Sequence, residues 1–510
     1  MTDMAQTTIG ARMGAGLAAA AVALGVTQLA AAFFSPAADS RTAVGTSVIN
    51  LTPGPVKEWA IQTFGTADKT FLTVMVLVVI GAVAAISAIW ERSRVPLGSV
   101  MIAVLGLLGS LAVLSRPGSG PLDVIPTALG TAGAIATLRL LTSDRIREQT
   151  PAETPDPGRR RSLLTLGFVG IGALSGVAGT VLTRQRRSVA GERDSFALPK
   201  PASPAPPIPP DVQPGDAALP SFITPNEDFY RIDTALTVPQ ISRADWKLRI
   251  HGMVDREITY TFADLEQFEA VQAAVTLACV SNPVGGNLIS NAMWTGYRIR
   301  DLLQRSGISP DADMVLSSSS DGFTVGTPVE ALTDGRDSLL AVGMNGVPLP
   351  VEHGYPARMV VPGLYGFVSA TKWVVDMEVT RFDRAQAYWT TRGWSAQAPI
   401  KTQSRIDVPR SGQRVAAGPV TVGGVAWAQH RGVKAVDVRI DDGPWQPATL
   451  GAAYSNDTWR LWTFDWQATP GAHRVTARAT DNTGAVQTEE PSSPAPDGAT
   501  GWPSITVEVR

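Results

Sequence analysis

The chain reads as three parts of different class: an N-terminal α-helical membrane bundle, a mixed α+β domain, and a C-terminal all-β sandwich of immunoglobulin-like type. Three observations separate them. The first 190 residues are rich in Ala, Val, Leu and Gly, in uncharged runs of about 20 residues, the length that crosses ~30 Å of hydrocarbon. A proline run from Leu198 to Pro210 interrupts the chain. Beyond about residue 399, apolar and polar residues alternate between turn signals, as in a series of short strands.

Residues 1–190 carry five expected spans, at 13–34, 71–90, 95–115, 122–141 and 163–183. The fourth has Asp123 and Arg139 near its ends, and both are expected to snorkel to the interface. Arginines in short loops set the orientation. Arg12, Arg92, Arg94, Arg145, Arg147, Arg159, Arg160 and Arg161 all fall on one side, which is assigned to the cytoplasm. With five spans the remainder then lies outside, in a multi-pass protein of the cell membrane. Arg184, Arg186 and Arg187 follow span five and oppose that placement. Arg159-Arg160-Arg161-Ser162-Leu163-Leu164 resembles a twin-arginine export signal, and a plain positive-inside flank gives the same topology. No histidine precedes His251 and no CxxCH occurs, so no haem is expected in the spans.

A Pro-rich linker is expected at 191–218, semi-extended and without a core. The α+β domain follows at 219–395. Trp246 to Gly252 alternates like a strand, Thr261 to Phe268 begins like a helix, and Arg298 to Leu303 is a short amphipathic helix. The all-β domain occupies 396–510. Val436, Val438 and Ile440 mark one inward face, Trp462, Phe464 and Trp466 a second, and Val475, Ala477 and Ala479 a third. Asp442-Gly443 and Asp481-Asn482-Thr483-Gly484 are expected turns.

Composition narrows the chemistry. The net charge is −2, which gives no electrostatic basis for nucleic-acid binding. One cysteine, Cys279, excludes disulfide scaffolds and cysteine-based zinc clusters, and four histidines without an HExxH run leave little for a histidine-rich metal site. Thr276-Leu277-Ala278-Cys279 resembles a strand end that delivers a thiol into a polar loop. His353, Arg358 and Lys372 bring cationic or hydrogen-bonding groups to a second region rich in Gly and Pro, and such groups suit an anionic phosphate. A lone thiol is either a buried small hydrophobe or a soft metal ligand. Spacing leaves both open.

The run Asn345-Gly346-Val347-Pro348-Leu349-Pro350, with His353-Gly354-Tyr355-Pro356-Ala357-Arg358 and Val361-Pro362-Gly363, resembles the sulfite oxidase family of molybdopterin enzymes. Other landmarks fall in order: the Cys279 segment, Trp294-Thr295-Gly296-Tyr297, Ser320-Asp321-Gly322-Phe323 and Lys372-Trp373. Residues 396–510 resemble that family's dimerisation domain at Gly424-Val425-Ala426-Trp427, Asp442-Gly443-Pro444-Trp445 and Trp459-Arg460-Leu461-Trp462. The resemblance covers roughly 219–510. It implies a molybdenum–molybdopterin cofactor with Cys279 as the metal ligand. Asn226, Tyr230 and Arg231 then lie in the first pterin-contacting segment, His353 and Arg358 on the pterin and its phosphate, Gly366, Phe367 and Lys372 in backbone and cationic contacts, and Asp321 near the cofactor. Cys279 and Arg231 are the implied catalytic residues.

Two departures qualify the resemblance. Where sulfite oxidases carry Arg-Asn-His, this chain has Arg231-Ile232-Asp233. Where they carry Gly-Ala-Arg before Lys-Trp, Tyr365 to Lys372 contains no arginine, and Tyr365-Gly366-Phe367 is more similar to sulfoxide-reducing members. The expected function is oxygen-atom transfer on a small sulfur compound, by sulfite oxidation or sulfoxide reduction. A separate electron-transfer partner and a homodimer through the C-terminal domain are implied, with the membrane half as anchor. The alternative is a non-catalytic cell-surface protein that keeps the fold without cofactor.

Overall fold

A computed structural model describes residues 9–510 apart from 54–55, 57–58, 60–62, 64–67, 93–94, 117, 144–156 and 216–217. Arg94, Arg145 and Arg147, used above for orientation, lie outside the described residues. The chain divides into two compact units, Met1–Ser188 and Val189–Arg510.

The first unit holds five helical segments long and apolar enough to cross a membrane: Ile9–Ala31, Phe71–Trp90, Leu97–Leu114, Pro121–Thr142 and Arg159–Ser195. The last of these contains the helix Pro157–Arg187. Leucines and valines such as Val78, Leu107, Leu108 and Leu174 point outward, as lipid-facing side chains would. The first helix, Ile9–Ala31, packs closely on the fifth because glycines let the backbones touch. A Cβ at Gly25 would overlap the Gly172 carbonyl, and one at Gly172 would overlap the Ala21 backbone. The two charges of the fourth span also make contacts within this unit. Asp123 is buried and accepts from the Gly120 N–H at 2.7 Å, so it caps its own turn. Arg139 donates to Ser99 Oγ at 3.1 Å, and buried Glu91 accepts from the same hydroxyl at 2.7 Å.

The second unit begins with three residue groups that the sequence assigns to a linker. Arg193 donates to the Leu349 and Pro348 carbonyls at 2.8 and 2.9 Å. Ala202 N donates to Ala270 O and Gln272 N to Ser203 O. The proline stretch is extended as expected, yet it is no free spacer. Prolines lack the N–H for a full strand, so scattered bonds at Ala202, Ser203, Ala205 and Pro206 hold it to the domain.

Two sheets make the α+β domain. The strands are β1 (Lys247–Gly252), β2 (Ile258–Thr261), β3 (Ala270–Ala278), β4 (Ile289–Arg298), β5 (Met314–Ser319), β6 (Thr324–Pro328), β7 (Leu339–Met344), β8 (Val347–Pro348), β9 (Arg358–Val360) and β10 (Val374–Thr380). One sheet has the order β2-β1-β10-β5-β6, and the other β3-β4-β7-β8 with β9 also on β7. Every residue of β7 is buried, as expected for a central strand. The helix expected from Thr261 is only a 3-10 turn, Ala263–Gln267, while the expected helix near Arg298 forms at Ile299–Gln304.

The C-terminal domain packs a four-stranded sheet, β11 (Gln403–Val408), β13 (Gly418–Trp427), β16 (Thr449–Leu450) and β17 (Arg460–Ala468), on a five-stranded one. The latter holds β12 (Arg414–Val415), β14 (Val433–Ile440), β15 (Gln446–Pro447), β18 (Gly471–Asp481) and β19 (Ser504–Val509). Val436, Val438, Trp462, Phe464, Trp466, Val475, Ala477 and Ala479 form the shared core, matching the inward faces read from the alternation. Trp462 is fully buried. Trp462→Ala is expected to destabilise the second unit by about 3–5 kcal/mol. Denaturant unfolding followed by tryptophan fluorescence checks this.

Candidate active site

Cys279 immediately follows β3 and is buried. Its backbone is fixed from both sides, by Cys279 N to Leu288 O at 2.9 Å and Asn282 N to Cys279 O at 3.1 Å. The strand that delivers it is braced by the C-terminal domain at Thr276. Thr276 N donates to Asp457 O, Trp459 N donates to Thr276 Oγ1 at 2.8 Å, and Gln429 Nε2 donates to Thr276 O at 3.2 Å. Burial pushes the Cys279 thiol up, against hydrogen bonds at Ser281 that pull it down. The thiol is therefore not activated as a free nucleophile. A metal would have to displace its proton.

The two sheets meet at the cationic side of the site. Met359 N donates to Thr371 O at 2.8 Å, tying β9 to the segment that enters β10. Arg358 opens β9 and Lys372 precedes β10. Gly354 lies between His353 and Arg358 at φ 117°, and a Cβ there would sit 2.9 Å from Arg358 Cβ and 3.3 Å from Lys372 Cβ. Only glycine adopts this conformation and leaves room for both cations.

The electrostatics are unusual for a buried region. Arg358 is 5% exposed, donates to His353 O at 3.1 Å and stacks 5.1 Å over Trp294. Among the described residues no carboxylate lies within 4 Å of it. Burial lowers its pKa to about 10, with Tyr230 opposing. Lys372 Nζ bonds Asp233 Oδ2 at 2.8 Å and Glu352 O at 3.2 Å. Its pKa falls to about 8 through burial, which the Asp233 contact opposes and Arg358 and Arg231 reinforce. Arg231 Nε reaches the same Asp233 Oδ2 at 2.9 Å. His353 is lowered to about 3 by burial and then by Arg358 and Lys372, so it is neutral at pH 7. It stands edge-on to Phe229 at 5.5 Å.

Tyr230 lies beside these groups. Its N–H donates to Ser290 Oγ at 3.2 Å, and burial raises its hydroxyl, with Cys279 adding to the effect. Gly366 faces this hydroxyl: a Cβ there would lie 3.9 Å from Tyr230 Oη and 3.7 Å from Ala278 O. Phe367 packs on Trp394 at 5.7 Å. Asn226 Oδ1 accepts from Asn345 Nδ2 at 2.8 Å, which joins the first segment to the β7–β8 turn. Asp321 stands apart from the cations. Its carboxylate accepts from Phe323 N–H at 3.2 Å, within the β5–β6 turn.

Three residues add to the set. Asp233 appears in the sequence only as a departure, and in the structure it is the shared partner of Arg231 and Lys372. Tyr365 is raised to about 12 by burial, and Asp497 and Cys279 push the same way. Its position directly before Gly366 was the available signal. Glu192, within the expected linker, accepts from Tyr355 Oη at 2.8 Å and from Arg243 Nε at 3.0 Å, and so anchors the loop of His353. No local pattern marks it, because the contact spans more than 150 residues.

Among the described residues no group of three or more His, Cys, Asp or Glu could hold a metal ion. A metal at Cys279 would therefore need most of its ligands from an organic cofactor, and the unpaired Arg358 and buried Lys372 suit an anionic group on it. The residues present fit a pterin phosphate with one protein sulfur on the metal.

Comparison with known proteins agrees. A model described as "Oxidoreductase molybdopterin binding domain" matches residues 235–389. Sulfite oxidase of Gallus gallus is 29% identical over 335 residues, covering 56% of this chain and 71% of the relative. The uncharacterised oxidoreductase YuiH of Bacillus subtilis is 31% identical over 149 residues, covering 29% of this chain and 72% of the relative. Against the mammalian mitochondrial sulfite oxidases the chain spans about half of their length. The sulfane dehydrogenase SoxCD from Paracoccus pantotrophus shares the fold, with a TM-score of 0.50 at 24% identity over 57% of this chain and 82% of that one.

Two pH effects follow. His353, held near 3 against an unfolded value of 6.5, stays neutral while the unfolded chain takes up a proton. Its share of stability is thus lost as pH falls from about 6.5 toward 3, and two-dimensional NMR of labelled histidines should find no His353 titration between pH 5 and 8. Lys372 loses its proton through about 8. Uptake of the cofactor by cofactor-free protein, read by pterin fluorescence after washing, should weaken as pH rises through that value. Asp233→Asn should move the loss to lower pH.

Proposed function

Because the chain belongs to the sulfite oxidase family of molybdopterin-dependent oxidoreductases, we propose that it is a membrane-anchored enzyme acting on a small sulfur-containing substrate. The observation that carries this reading is the occurrence of one buried thiol, Cys279, with a buried arginine, Arg358, that has no carboxylate partner among the described residues. The molybdenum cofactor would supply two-electron oxygen-atom transfer. Cys279 would hold its metal. Arg358 and Lys372 would hold the phosphate, while neutral His353 and Asn226 would orient the pterin through hydrogen bonds. Gly366 would leave space against Tyr230, and Phe367 would close the wall. Asp321, in its own turn, would act at most from a distance.

Charge balance bears on the substrate. Arg231 and Lys372 share Asp233, so their net field is reduced, and Arg358 is committed to the cofactor in this reading. A dianion such as sulfite would find few free cations. We therefore place an uncharged sulfoxide ahead of sulfite, with Arg231, the most exposed of the three cations, at the substrate side. A fold-retaining binding protein without cofactor would have no use for a buried unpaired arginine, whose desolvation is costly.

The five apolar helices are read as the anchor, with the second unit outside the cytoplasm. Electrons would pass to or from a separate partner. The C-terminal two-sheet domain is read as the family's immunoglobulin-like dimerisation module.

A substrate panel on metal-replete protein tests the reading. Sulfoxide reduction with a dye donor should exceed sulfite oxidation with a dye acceptor, and the reverse order would overturn the substrate assignment. Cys279→Ser should cut activity by more than the roughly 10–100-fold expected for residues beyond the metal's direct ligands, with an unchanged circular dichroism spectrum.

A further inference from the structure

Arg184, Arg186 and Arg187 oppose the topology expected from loop charge, and they lie in the last turn of the fifth helix, where they make other contacts. Arg187 Nη2 donates to the carbonyls of Ala31, Phe34 and Ser35 at 2.8, 2.7 and 3.1 Å, capping the end of the first helix. Arg186 stacks 4.3 Å over Phe33. Arg184 is exposed, and among the described residues no carboxylate lies within 4 Å of it.

Arg184 instead lines an open groove of about 540 Å³ beside the seam of the first and fifth helices, together with Gln28, Arg41 and Thr180. Gln28 decides the character of this groove. It lies one turn before the end of the first helix and is 4% exposed. Its amide makes no hydrogen bond to any described residue. Thr180 cannot supply one as donor, because its hydroxyl donates to Gly176 O at 2.8 Å. Arg41 is only loosely held, 3.7 Å from Asp39. What the residue leaves accessible faces the groove, and an amide without a partner in an apolar surrounding is costly, so a ligand that supplies an acceptor would be favoured.

We propose that this groove binds the headgroup of an anionic phospholipid, with the phosphate between Arg41 and Arg184 and an ester or glycerol oxygen on the Gln28 amide. The proposal rests on reading the five helices as membrane spans. Charge complementarity selects the occupant: two arginines at the rim suit a phosphate, whereas a neutral quinone would use Gln28 alone. The glycines of the seam, Gly25 and Gly172, bring the first and fifth helices together beside Arg184, and Arg41 reaches the same groove from the helix Ser40–Leu51. In this reading Arg187 caps the first helix and Arg184 binds lipid.

The test is native mass spectrometry of the full chain released from nanodiscs of equal phosphatidylglycerol and phosphatidylcholine. Retained lipid should be phosphatidylglycerol. Arg184→Gln and Arg41→Gln should each lower its retention roughly fivefold, and Gln28→Leu should lower it without a change of charge. Arg186→Gln, off the groove, should leave it unchanged. Equal retention of phosphatidylcholine, a bound quinone in place of phospholipid, or an equal loss in Arg186→Gln would overturn the proposal. A full chain recovered only in the soluble fraction before reconstitution would instead overturn the membrane reading beneath it.

Discussion

Two cations, Arg358 and Lys372, are buried on either side of Gly354, and among the described residues the one carboxylate paired with them is Asp233, on Lys372. Water is largely excluded, so each charge carries a desolvation cost that the site must offset. Lys372 is offset by Asp233 and by the Glu352 carbonyl. Among the described residues Arg358 is offset by the His353 and Met359 carbonyls and the Trp294 ring. The remaining deficit suits this region to an anion. Burial, reinforced by the two cations, keeps His353 neutral, so the imidazole is available as a hydrogen-bonding group and not as a third charge.

The fold around the site maintains that unfavourable arrangement. Gly354 turns the chain so that Arg358 and Lys372 come together, and Glu192 fixes the loop from the far side through Tyr355. The thiol side is braced separately. Thr276 is bonded to three residues of the C-terminal domain, only three positions before Cys279. The two-sheet domain is thus part of the support for the site, and damage to its packing near Trp459 would be felt at the thiol.

Much of this was legible in the sequence because it is local. The alternation of Val436, Val438, Trp462, Phe464 and Trp466 maps directly onto inward strand faces, and uncharged runs map onto long helices. Cys279 at a strand end was legible for the same reason. Long-range pairing was not. Asp233 looks like a lost family residue until Lys372, 139 positions away, is seen beside it. Glu192 falls in the segment expected as linker but lies in a short helix, Ala190–Ser195, ahead of the proline run, and nothing local marks the distant Tyr355 it binds. The 3-10 turn at Ala263–Gln267 shows the opposite limit. Its helix-like start is cut short where the chain enters β3.

The central claim is that Cys279 ligates the molybdenum of a cofactor held by the buried cations. X-ray absorption at the molybdenum edge, on protein purified from a host that makes the cofactor, tests it most directly. The account predicts stoichiometric molybdenum whose coordination loses one sulfur in Cys279→Ser. Metal-free protein from such a host, or an unchanged sulfur count in the variant, would contradict it.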